Sequence, residues 1–404
     1  MALQRRTTPP ASQEIPSLTT PSEPRLPAHE LVIESKTGRV RQAGADMEGA
    51  EVVEFRQQCE RSLYAFAKGI LRRDLLSPRL HGWFCQSLQS PPPYRKLRLM
   101  PRGHLKSSIV SEAMPLHMLI QPDPEEGKNS YWPGLSGADM RILLAGEKQD
   151  LMASHLRWIE TQCESNNLLR GLWPQRFWQN PRRDAKKWNE VEMLIPRKND
   201  YADPSIRVIG VGGAITGAHP NVLVKDDLIS VEAANSPTVM QTAIEWHKAS
   251  RALLAPNEER GLEYIIGTRW AVSDLYSHIM QTDPSVDCIT RSIVEDGVPI
   301  WPEQISLKHV SDLRKEYGSL FHLLYMNNAG DPELTDFPDS ELRYYTIDGE
   351  NLIVEEDDRD LVLHDREKAP DRPSPDGLRG TPLTPEVYAL EFSGREEYFR
   401  FKTR

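Results

Sequence analysis

The chain has 404 residues, enough for two or three domains, with 39% apolar and 27% charged residues. No apolar run approaches the ~20 residues that cross a bilayer, and the N-terminus lacks a signal-peptide core. The net charge of −10 argues against a protein coated in nucleic acid, though not against a local basic groove. The four cysteines are scattered with no C-x-x-C pair, which suits a reducing cytoplasm and neither a zinc site nor a disulfide framework.

Residues 1–47 are rich in Pro, Ser and Thr and read as a disordered arm. Helical periodicity is predicted over 48–71, with Phe55, Cys59, Leu63, Phe66 and Ile70 on one face, and again over 78–88. Strands and helices then alternate. Strands are predicted at 97–100, 141–145, 191–196, 205–211, 221–225 and 264–268, with 191–196 and 205–211 as a pair. Helices are predicted at 107–120, 150–164, 236–254, 274–281 and 306–324. Alternation of this kind predicts an α/β fold with a mostly parallel central sheet flanked by helices, and ligands beyond the carboxyl ends of the strands.

The first strand runs into Pro101-Arg102-Gly103-His104-Leu105-Lys106-Ser107-Ser108. A strand turning through glycine into Lys-Ser at a helix start is how phosphate loops hold a nucleoside triphosphate. Backbone N–H groups from Gly103 to Ser108 wrap the phosphates, Lys106 meets the β/γ charges, and Ser107 ligates Mg²⁺. The usual G-x-x-x-x-G-K-[ST] spelling puts glycines at Met100 and Leu105, and neither is glycine. A basic turn in which Ser107 and Ser108 cap the helix suits the local spelling equally well. Arg102 offers fixed positive charge where charge develops during transfer, and the ring of His104 reads as exposed.

The strand at 221–225 ends in Asp226-Asp227. Asp226 is assigned to Mg²⁺ and Asp227 to orienting the attacking water, with Glu232 a rival for the second role. Ile265 to Trp270 is a strand ending in Thr268 and Arg269. Thr268 suits a contact to the γ-phosphate or its water, and Arg269 suits a negative oxygen or an acid of the preceding strand. The glycine-dense stretch 209–219 is a weak signal. Residues 176–188 interleave Arg176, Arg182, Arg183, Lys186 and Lys187 with Phe177, Trp178 and Trp188, a pattern that suits nucleic acid or a solvated face.

In this order the motifs resemble those of the large subunit of tailed-bacteriophage terminases. The set is the Pro101–Ser108 loop, the strand at 141–145 with Asp150, Gly217-Ala218-His219 leading into Asp226-Asp227, and Gly267-Thr268-Arg269-Trp270 with Asp274-Leu275. The resemblance spans about 75–345. It implies an ASCE-like phosphate-loop ATPase domain over 48–300, a lid or linker over 301–348, and a motor using ATP and Mg²⁺ to translocate double-stranded DNA into a capsid. It further implies a portal protein and a terminase small subunit as partners, a homo-oligomeric ring, no membrane, and work in the host cytoplasm. Such loops tolerate a bulky residue at the place of Leu105. A neighbouring subunit often supplies an arginine, for which Arg251 and Arg269 are the candidates. Residues 349–404 are proline-broken and acidic, so the nuclease domain of a full large subunit is expected to be absent, truncated or on another chain. A nucleotide-binding assembly subunit and a metal-dependent endonuclease are the alternative functions.

Overall fold

In the computed structural model, side chains are described for residues 51–328, save 90, 215, 216 and 255–260. Outside that range only backbone elements are described, so the expected arm 1–47 and tail 349–404 lie largely outside the described residues. The backbone elements there are antiparallel pairings of Leu31–Ile33, Val40–Gln42 and Ala45–Asp46 in the arm. In the tail, Tyr345–Asp348 pairs with Asn351–Val354, and Val387–Phe392 pairs with both Leu363–His364 and Arg395–Arg400. The chain divides into two units between Gly330 and Asp331.

The first unit is an α/β layer structure. Seven strands form its sheet: β1 (Arg95–Leu99), β2 (Ile142–Gly146), β3 (Glu192–Met193), β4 (Ile206–Gly210), β5 (Val222–Asp226), β6 (Leu262–Gly267) and β7 (Asp287–Thr290). Their spatial order is β7-β1-β6-β5-β2-β4-β3. Every pairing is parallel except β3 with β4, which is antiparallel. The first crossover carries the chain from β1 past β6 and β5 to β2, and the last brings it back across β1 to β7. The direction of travel thus reverses beside β1, the place where open sheets of this kind leave a crevice at their carboxyl ends.

Both faces of the sheet are covered, as period-two burial on a parallel sheet requires. On one face Ile142, Leu144, Val222, Val224, Tyr264 and Ile266 pack under helices α1 (Gly49–Arg61), α2 (Leu63–Gly69), α3 (Trp83–Leu88), α4 (Met114–Leu119) and α5 (Gln149–Ser165). On the other, Leu97, Leu99, Leu143, Leu223 and Ile265 pack under α6 (Pro237–Arg251) and α7 (Leu275–Thr282).

Two predicted helices are each two helices. The one over 48–71 breaks at Ser62, whose extended backbone and side chain, accepting from Ala65 N, start α2 afresh. The one over 306–324 breaks at Gly318 into α8 (Leu307–Tyr317) and α9 (Leu320–Leu324), because a φ of +54° cannot continue a helix. The segment after α9 is stitched to the carboxyl end of the sheet. Leu324 O accepts from Arg102 N (3.0 Å), Tyr325 O from Ile293 N (2.8 Å), and Asn327 bridges Arg269 N (3.1 Å) and Arg291 O (2.9 Å).

Candidate phosphate and metal site

β1 delivers the loop Pro101–Ser108 to the carboxyl end of the sheet. Gly103 (φ +81°) and Leu105 (φ +55°) are left-handed. Alternating handedness is the backbone pattern that curls successive N–H groups into an anion-binding concavity. The helix begins directly after it, with Ile109 N donating to Leu105 O at 3.2 Å. Ser107 lies in helical conformation and its side chain makes no capping bond. The hydroxyl at the motif's metal position is therefore not consumed by the helix start.

Asp226 ends β5 and Asp227 follows with φ +46°, a conformation that Asp tolerates better than most residues. Asp227 N donates to Ile266 O (3.0 Å), and Asp227 O accepts from Glu147 N (3.2 Å), so the turn is tied to β6 and to the end of β2. Here the loop and the acids meet. Lys106 Nζ donates to Asp227 Oδ2 at 2.6 Å, although 121 residues separate them. Ser111 Oγ donates to Asp226 Oδ2, also at 2.6 Å. The second oxygen of each acid, Asp226 Oδ1 and Asp227 Oδ1, is buried with no hydrogen-bond partner.

Burial draws the Lys106 ammonium down, but Asp227 and then Asp226 more than offset this, so the group is held charged. One cation thus faces two carboxylates that each keep an unused oxygen. Orphaned buried acceptors cost free energy unless a cation or donor completes them. Two carboxylates that each keep an unused oxygen are the chemistry that holds Mg²⁺ when substrate oxygens and water supply the other ligands. Among the described residues no three His, Cys, Asp or Glu side chains gather into an all-protein metal cage. Asp226 and Asp227 fit a divalent cation such as Mg²⁺, which their unused oxygens would hold.

The remaining predicted residues are placed as follows. Thr268 is buried just past β6, its hydroxyl donating to Met100 O at 3.2 Å; it ties β6 to the strand that carries the loop. Arg102 is exposed, its guanidinium 5.4 Å from the centroid of the Trp270 ring, and Gly103 and Ser108 line the same loop. His104 is not exposed as the sequence suggested. It is fully buried, bonded through Nδ1 to Arg102 O (3.0 Å) and packed 5.8 Å from Trp301, and burial holds its ring below the usual imidazole range. A ring in the loop's underside supports the turn and does not face solvent.

Glu232, the rival acid, is exposed and pairs with Lys148 at 3.5 Å. Arg269 pairs with Asp274 at the start of α7 (2.8 Å), not with an acid of the preceding strand, and also donates to Ala271 O and Val272 O. Arg251 is half-exposed and bonds Asp283 at 3.0 Å. In the 176–188 stretch, Arg176 is buried against Asp123, Arg182 pairs with Glu164, Arg183 with Asp184 and Lys187 with Glu192. Trp178 and Trp188 donate to Leu194 O and Glu164.

Sequence reasoning missed Ser111. Its signal was spacing: four residues past Ser107, one helical turn along the same face. Neither a protein-family model nor a curated protein matches this chain. No helix among the described residues is long and apolar enough to cross a membrane.

Proposed function

We propose that this chain is an ATP-hydrolysing motor built on a phosphate-loop site, of the kind that terminase large subunits use to drive double-stranded DNA into a capsid. One observation carries the reading. Lys106 of the loop and the Asp226-Asp227 pair converge at the carboxyl ends of β1 and β5, with β6 and its Thr268 lying between those strands. That order sets Thr268 between the strand that carries the lysine loop and the strand that carries the acids.

The residues divide the work by charge. Mg²⁺, held by Asp226 and the Ser107 hydroxyl, would neutralise phosphate oxygens and polarise the γ-phosphoryl group. The loop N–H groups bind and orient the triphosphate. Lys106 exchanges its bond to Asp227 for phosphate oxygens, a cation moving from one anion to another. Asp227, released from that bond, accepts the hydrogen bond of the attacking water and aligns it in line with the leaving group. Arg102, at the exposed lip of the loop, adds positive charge on the solvent side. Thr268 ties this site to Met100, and Asn327 ties the next residue, Arg269, to the segment after α9.

The track and partners rest on the motif resemblance. Arg176, Arg182, Arg183 and Lys187 pair with neighbouring carboxylates and add no support for a DNA groove there. Of the two arginines proposed to act on a neighbouring subunit, Arg251 has an accessible side chain and Arg269 is locked inside, so Arg251 is the better candidate.

Purified chain should release phosphate from ATP only with Mg²⁺, faster in the presence of linear duplex DNA. Lys106→Ala should reduce turnover at least about a hundredfold, the scale of losing one aimed donor in a low-dielectric site. Full turnover in that variant would exclude the site. Tight ATP binding without phosphate release in the wild type would instead favour an assembly subunit.

A further inference from the structure

We infer that Ser111 is a positioning residue that fixes which oxygen of Asp226 faces the metal. The inference rests on the nucleotide-site reading above. Ser111 is fully buried, and a buried helical serine ordinarily turns its hydroxyl back to the carbonyl four residues earlier. Here it reaches across to β5 and donates to Asp226 Oδ2 at 2.6 Å. That bond occupies one carboxylate oxygen and stops the group from rotating. Oδ1 is left buried and unpartnered on the same side chain. Ser107, one turn earlier, keeps its hydroxyl out of any capping bond. The two serines therefore have separate tasks: Ser107 as a ligand, Ser111 as the clamp on the other ligand.

The helix is shaped around this contact. Ser108–Ala113 forms a widened turn in which Met114 N donates to Ile109 O, five residues back. Such turns are uncommon and concentrate at functional sites because the extra residue re-aims the side chains around it. Ser111 lies inside it.

A serine that only filled space would be replaceable by alanine without effect on metal affinity. A serine that orients a ligand would not. The test uses the full chain and a fluorescent ATP analogue, titrated with Mg²⁺ and read by emission, with no turnover needed. Ser111→Ala should raise the Mg²⁺ concentration for half-maximal binding about tenfold, with analogue affinity in EDTA unchanged. Ser111→Thr, which keeps the hydroxyl, should restore wild-type Mg²⁺ dependence. A thermal melt of each variant shows that both are folded. An Mg²⁺ midpoint in Ser111→Ala equal to that of the wild type would overturn the inference alone. No Mg²⁺-dependent binding in the wild type would overturn the nucleotide site itself, and this inference with it.

Discussion

Leu105 stands where the usual phosphate loop has its second glycine, and its φ of +55° shows why glycine is usual there. An L-residue in that region costs roughly 1–2 kcal/mol. Leu105 offsets the strain by packing its half-buried side chain against the main core. Leucine is tolerable because it is not branched at Cβ; isoleucine would add a clash. Leu105→Gly should therefore shift stability by less than about 1 kcal/mol, with strain relief set against lost packing, and should keep nucleotide binding. Leu105→Ile should lower the melting temperature and weaken binding, and equal behaviour of the two variants would show that the loop backbone is not left-handed. At this scale the sequence was legible where a motif carries its own spacing. Lys106, Asp226 and Asp227 are placed by their neighbours in the chain. His104 was not, because a polar residue looks solvent-facing until its partners are known, and Arg269 was matched to an acid of the preceding strand when its acid, Asp274, lies five residues on. For these the partners are Arg102 O and Trp301 in one case, and Asp274 with two carbonyls in the other. Ser111 escaped because its partner is 115 residues away.

Among elements, the buried apolar strands were the legible ones. β2, β5 and β6 are short apolar runs, and their order with intervening helices gives the parallel sheet. β1 was read two residues short because Arg95-Lys96-Leu97-Arg98 looks like surface. In the fold Lys96 is buried, its ammonium donating to the carbonyls of Ser87, Leu88 and Gln89 at 2.9–3.1 Å, and Arg98 pairs with Asp287 at 2.6 Å. Edge strand β7 went unread because its side chains are only half-buried and carry no periodicity. A second buried charge system joins β1, β5 and β6: Lys225 to Glu263 at 2.6 Å, and Glu263 to Arg95 at 2.6 Å. Burial works against the Glu263 carboxylate, but Lys225 and Arg95 outweigh it and pull the group down to about 2 from 4.5. A carboxyl depressed in the fold stabilises it fully above the unfolded value, and that stability disappears as pH falls from about 4.5 toward 2. The melting temperature should hold near pH 6 and drop steeply below pH 4.5. The double variant Lys225→Met, Glu263→Gln should flatten that drop; an equally steep acid profile in the double variant would remove this pair as its cause.

Across the whole molecule, sheet order brings distant stretches of sequence to one end of the fold. The reversal beside β1 brings together a loop at 101–108, acids at 226–227 and a hydroxyl at 268, and the segment 324–327 closes over the same end. Composition could not foretell this, since a net charge of −10 says nothing of a single lysine between two carboxylates. The measurement that tests it most directly is the affinity of the full chain for a fluorescent ATP analogue with Mg²⁺ present, in the wild type, Lys106→Ala and Asp226→Asn. Binding should be saturable and Mg²⁺-dependent in the wild type, about tenfold or more weaker in Lys106→Ala, and insensitive to Mg²⁺ in Asp226→Asn. Equal affinity and equal Mg²⁺ dependence in all three proteins would contradict it.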